Sequence, residues 1–129
     1  MWEPNEKDED ARRRSVYIFQ RRSLPLPLMA SFDALPFSES CDRRSVTTTP
    51  LQALSMMNGN LIQEESHHLA TRITAAAGDS RDAQIAKAFE HVLNRKPSSD
   101  EIARFRSFSG PLEAVCRVLL NSNEFLYLD

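Results

Sequence analysis

The 129-residue chain reads as an all-α protein, a bundle of about five short helices preceded by a proline-rich irregular segment. Three observations predict this. Apolar residues recur at helical spacing from residue 49 onward. Two capping boxes, Thr49-Pro50-Leu51-Gln52 and Ser98-Ser99-Asp100-Glu101, mark helix starts. Gly59, Gly78 and Gly110, the full glycine complement, fall where the periodic runs stop. Nothing alternates apolar with polar at period two, the mark of a half-buried strand.

Residues 1–11 carry Glu3, Glu6, Asp8, Glu9 and Asp10 against Lys7 and predict a disordered acidic tail. From residue 12 to 129 the pattern reads as a single helical domain. Arg12, Arg13, Arg14, Arg21 and Arg22 flank Val16-Tyr17-Ile18-Phe19, a short apolar run taken as helical because Leu24-Pro25 would stop it. Residues 24–50 hold Pro25, Pro27, Pro36 and Pro50, which exclude a long helix or a central strand. Leu24, Leu26, Leu28, Phe32, Leu35 and Phe37 make this segment a cover over the core rather than a linker.

The first periodic helix starts at the Thr49 box with proline at its first position and carries Leu51, Leu54 and Met57 on its apolar face. Asn58-Gly59 ends it, both residues tolerating left-handed geometry. The second runs from about Leu61 to Ala77 with Ile62, Leu69, Ile73 and Ala76 inward, and Gly78 closes it. A third spans 81–94 with Ile85, Phe89, Val92 and Leu93 on one face. The fourth, capped by Ser98 and Glu101, presents Ile102, Phe105 and Phe108 before Gly110-Pro111. The fifth shows Leu112, Val115, Cys116, Leu119 and Leu120 as one stripe.

Composition excludes several classes. With 41% hydrophobic and 26% charged residues the chain is neither collagenous nor low-complexity, and two cysteines do not make a disulfide scaffold. Sixteen basic against 18 acidic residues give a net charge of −2, the wrong balance for a general polyanion binder. Scattered glycines exclude a phosphate-cradling loop, and G-x-S-x-G and H-E-x-x-H are absent, so no catalytic, cofactor-binding or metal residues are assigned. Glu64 and His68 have ligand spacing on a helix, but His67 and His68 point about 100° apart, so exposed polar residues explain them better.

Cys41 and Cys116 read as two buried free thiols in a cytosolic chain, or as one disulfide in an exported one. The opening Met1-Trp2-Glu3-Pro4 lacks the basic start and apolar stretch of a secretory signal, so the sequence as written reads as cytoplasmic. Arg43 and Arg44 beside Thr49 and Gln52, and Asn121, Asn123 and Glu124 within the apolar C-terminal run, form a polar set. Such groups either pair internally and lock loops or line a pocket.

Several segments in order resemble a known family: Arg13 to Tyr17, Arg22 to Pro27, Phe32-Asp33-Ala34, Cys41 to Arg44, Thr47 to Leu54, Asn94-Arg95-Lys96-Pro97 and Leu119 to Tyr127. Over about residues 12–129 they resemble the C-terminal domain of unknown function of large planctomycete-type exported proteins, of which this chain would be the C-terminal half. The resemblance implies an extracytoplasmic multidomain parent, often with a cytochrome c-like domain, and partners in the remaining half or in other domains. It supplies no catalytic residue and no cofactor, and the chain has no haem-attaching C-x-x-C-H.

These readings together predict a non-enzymatic interaction or scaffolding module. The alternatives are part of an extracellular polysaccharide-degrading enzyme, and a nucleic-acid-binding module using Arg12 to Arg22.

Overall fold

A computed structural model describes Tyr17, residues 27–34, Thr47 and residues 49–127. Among the described residues every regular element is a helix, as the sequence predicts. They are α1 (Pro27–Ser31), α2 (Pro50–Asn58), α3 (Asn60–Ala77), α4 (Arg81–Leu93), α5 (Ser99–Ser107), α6 (Leu112–Leu120) and α7 (Asn123–Leu126). The chain divides into two compact units, Met1–Thr48 and Thr49–Asp129, at the Thr49 capping box.

In the first unit a five-residue helix, α1, stands inside the stretch read as irregular. Proline is tolerated at its first position because that N–H has no intrahelical acceptor. Asp33 follows in left-handed geometry (φ 56). Its Oδ2 accepts from the Thr47 amide at 2.8 Å and the Thr47 hydroxyl at 2.6 Å, fastening the two sides of a 14-residue separation. The helix expected across Val16 to Phe19 lies outside the described residues except for Tyr17, which is exposed.

The second unit is the bundle. Its core comprises Ile73 of α3, Ile85, Ala88 and Phe89 of α4, and Val115, Cys116 and Leu119 of α6, with Leu69, Val92, Leu93, Phe105 and Leu112 packed around them. α3, α4 and α6 pack on one another, α5 packs on α4, and α2 packs on α3. The inward residues of α4 and α6 sit at i, i+3, i+4 and i+7, which is why their faces were readable.

Several expectations fail, each for a local reason. On α2, Leu51, Leu54 and Met57 are 63%, 55% and 57% exposed, while Gln52 and Met56 are the buried residues. Gly59 is both the C-cap of α2 and the N-cap of α3, so a single residue sets how the two helices fold together, and that turn puts Gln52 and Met56 against α3. Gly59 is extended (φ −65), not left-handed. It is glycine because a Cβ would stand 2.4 Å from the Ser55 carbonyl oxygen, to which the Gly59 N–H donates. On α5 the helix ends at Ser107, so Phe108 becomes its exposed C-cap. Beyond α6, the polar Asn121 to Glu124 stretch turns into a further helix, α7, whose Ser122 hydroxyl accepts from the Phe125 amide at 3.3 Å.

Candidate functional site

The most connected polar site in the bundle is built around Arg95. α4 ends at Asn94, which takes the left-handed conformation (φ 52, ψ 30) that asparagine tolerates as a C-cap. That reversal lays the Arg95 guanidinium over the Phe89 ring, 5.2 Å from its centroid. Phe89 in turn meets the edge of Phe105 at 5.6 Å.

Two carboxylates close on the guanidinium from opposite helices. Glu124 of α7 accepts from Nε at 2.6 Å and Nη2 at 2.8 Å. Glu101 of α5 accepts from Nη1 at 3.0 Å and Nη2 at 2.8 Å. Nη1 also donates to the Lys96 carbonyl at 3.2 Å. Both pairs are two-point contacts of the planar fork, a geometry lysine cannot reproduce.

Glu101 has a second task, since its Oε2 accepts from the Ser98 amide at 2.7 Å while Ser98 Oγ accepts from the Glu101 amide. The hydrogen bonds from Arg95 and Ser98 hold the Glu101 carboxyl down to about 2. Arg95 likewise depresses Glu124, and the two carboxylates raise the Arg95 pKa. Carboxylates held ionised in this way cannot act as proton donors near neutral pH. The arrangement joins α4, α5 and α7, and its chemistry is that of a fastening.

A second feature is apolar. Leu51, Leu54 and Met57 project outward from α2, with Leu61 at 44% exposure just beyond on α3. From Ser45 to Gln63 the chain has no charged residue, although 34 of its 129 residues are charged, by adding 16 basic to 18 acidic.

The polar set foreseen in the sequence separates into parts. Thr49 and Gln52 form the reciprocal capping box: Thr49 Oγ1 accepts from the Gln52 amide at 3.3 Å, and Gln52 Oε1 from the Thr49 amide at 2.9 Å. Asn121 Nδ2 donates to the Arg117 carbonyl at 2.8 Å, closing the end of α6. Asn123 is an exposed first residue of α7, and Glu124 belongs to the Arg95 cluster. α2 packs on α3 whereas α7 packs on α4 and α6. Arg43 and Arg44 lie outside the described residues.

Cys116 lies buried in the core with a free thiol, and Cys41 lies outside the described residues. Burial pushes the Cys116 thiol up to about 11, far from reactive. His67 approaches Glu113 at 3.4 Å, and among the described residues no three metal-ligating side chains gather. Sequence reasoning quoted Asn94-Arg95-Lys96-Pro97 but assigned Arg95 no role. The signal was there in an arginine directly after a helix end and a capping-box glutamate six residues on.

Among the described residues the second unit is a helical bundle with a charged fastening and an exposed apolar ridge. The chain belongs to the PSD1 family, proteins of unknown function (DUF1553), which it matches over residues 1–109. The matched stretch takes in the acidic N-terminal residues and stops before α6, whereas the resemblance read from the segments extends from about 12 to 129. No curated protein and no solved structure matches the chain.

Proposed function

We propose that the chain is a non-enzymatic interaction or scaffolding module of a larger exported, multidomain protein. The observation that carries this is the apolar surface left outside the bundle. Leu51, Leu54 and Met57 on α2, and Phe125 and Tyr127 at 42% and 38% exposure after α6, are large side chains that a small domain gains by covering. Phe125 and Tyr127 serve the rest of the parent: the remaining part of the family domain or a neighbouring domain such as a cytochrome c-like one. The parent's location is extracytoplasmic.

The polysaccharide-degrading alternative draws no support from the described side chains. Gln52 and Thr49 cap one helix, and Glu124 is engaged by Arg95. The arginines of the nucleic-acid alternative lie outside the described residues. The test is titration of the purified chain with a dye that fluoresces on apolar surfaces. Fluorescence should rise, and should fall when Leu51, Leu54 and Met57 are replaced by Gln and Phe125 and Tyr127 by Ser. A folded, monomeric chain that leaves the dye dark would refute the proposal.

A further inference from the structure

The α2 ridge has a spacing and a charge pattern that suit one occupant. Leu51, Leu54 and Met57 lie at i, i+3 and i+6, symmetric about Leu54, and α2 carries no acidic or basic residue. A two-fold interface sets each surface against itself, so a charged patch would meet its own sign, while a neutral one meets no repulsion. An antiparallel crossing about Leu54 would set Leu54 against its copy and Leu51 against Met57 of the second copy, as ridges of two helices interlock.

Beside the ridge Pro50, Ala53, Asn58 and Asn60 are exposed and uncharged, and the exposed charges that follow Leu61 on α3, Glu64 and Glu65, are both acidic, so among these residues no ion pair steers a charged partner. The three ridge side chains, with Leu61, leave on the order of 400 Å² per copy, which puts the pair at the low end of specific interfaces.

We propose that the α2 ridge, Leu51, Leu54 and Met57, is a weak homodimer interface whose occupant is a second copy of the same helix. This rests on the reading of exposed apolar surfaces as docking surfaces, and it commits this ridge to self-association. Because burial without charge drives it, added salt should not weaken it.

Sedimentation velocity on the full chain, over a range up to about 500 µM, tests the proposal. The mass should rise from 14.7 kDa toward twice that value, and it should do so at least as strongly at high as at low sodium chloride. Leu54→Glu should hold the mass at the monomer value with an unchanged helical circular dichroism spectrum, since that side chain is exposed in the monomer. Three results would overturn it: a monomer at every concentration, association that survives Leu54→Glu, or association that salt abolishes. Dye binding by a chain that stays monomeric would reject the second copy while leaving the docking reading standing; a dark monomer would reject both.

Discussion

Replacing Phe89 with alanine should remove a large part of the bundle's stability. Phe89 is 1% exposed, its ring edge meets Phe105, and its face carries the Arg95 guanidinium. Phe-to-Ala changes in well-packed cores cost about 3–5 kcal/mol through lost transfer free energy and the cavity left behind. Losing the Phe105 contact, worth about 0.5–1.5 kcal/mol, and a partly exposed cation–π contact of about 0.5–1 kcal/mol places this site in the upper half of that range. A domain stabilised by about 5–15 kcal/mol would then be marginal. The assay is urea unfolding followed by helical circular dichroism, with Leu54→Ala as the comparison. Leu54 is as apolar in sequence as Phe89 is, yet is 55% exposed, so its truncation should change stability by less than about 0.5 kcal/mol. Similar losses for the two variants, or a Phe89→Ala loss under about 1.5 kcal/mol, would refute the assigned core.

Other outcomes follow from the same geometry. Glu101 has a folded-state pKa of about 2 against an ordinary 4.5, so its contribution is present above 4.5 and is lost as pH falls toward 2. The urea-midpoint gap between the parent chain and Arg95→Met should therefore be widest above pH 5 and should close toward pH 2. Gly78 has φ +64 and ψ −150 with open space where a Cβ would go, so Gly78→Ala should cost about 1–3 kcal/mol from backbone strain alone, measured by thermal melting. Cys116 should react with a thiol reagent only after denaturant is added, because it is fully buried and its thiol is pushed up to about 11.

Much of the bundle was legible because helix boundaries in this chain are written in local chemistry. The boxes at Thr49 and Ser98 need only residues three apart, and both form with their reciprocal bonds. The inward faces of α4 and α6 were equally readable, since Ile85 and Phe89, and Val115, Cys116 and Leu119, are buried by neighbours on more than one side. The face of α2 was not. Periodicity shows that Leu51, Leu54 and Met57 share a side, but the turn at Gly59 decides which side meets α3. The Arg95 cluster escaped for a different reason: its second carboxylate, Glu124, is 29 residues away and arrives only through α7.

The outward ridge of α2 carries both the docking proposal and the dimer, and adjacent methionines offer a direct probe of it. Met57 is 57% exposed and Met56 is 7% exposed. Hydrogen peroxide footprinting of the native chain in dilute solution, with fragmentation mass spectrometry separating the two positions, reads their relative sulfoxide formation. The structure predicts that Met57 oxidises about tenfold faster than Met56, and that the difference vanishes in denaturant. Equal rates in the native chain, or faster oxidation of Met56, would mean that α2 turns its leucines inward and would contradict the ridge.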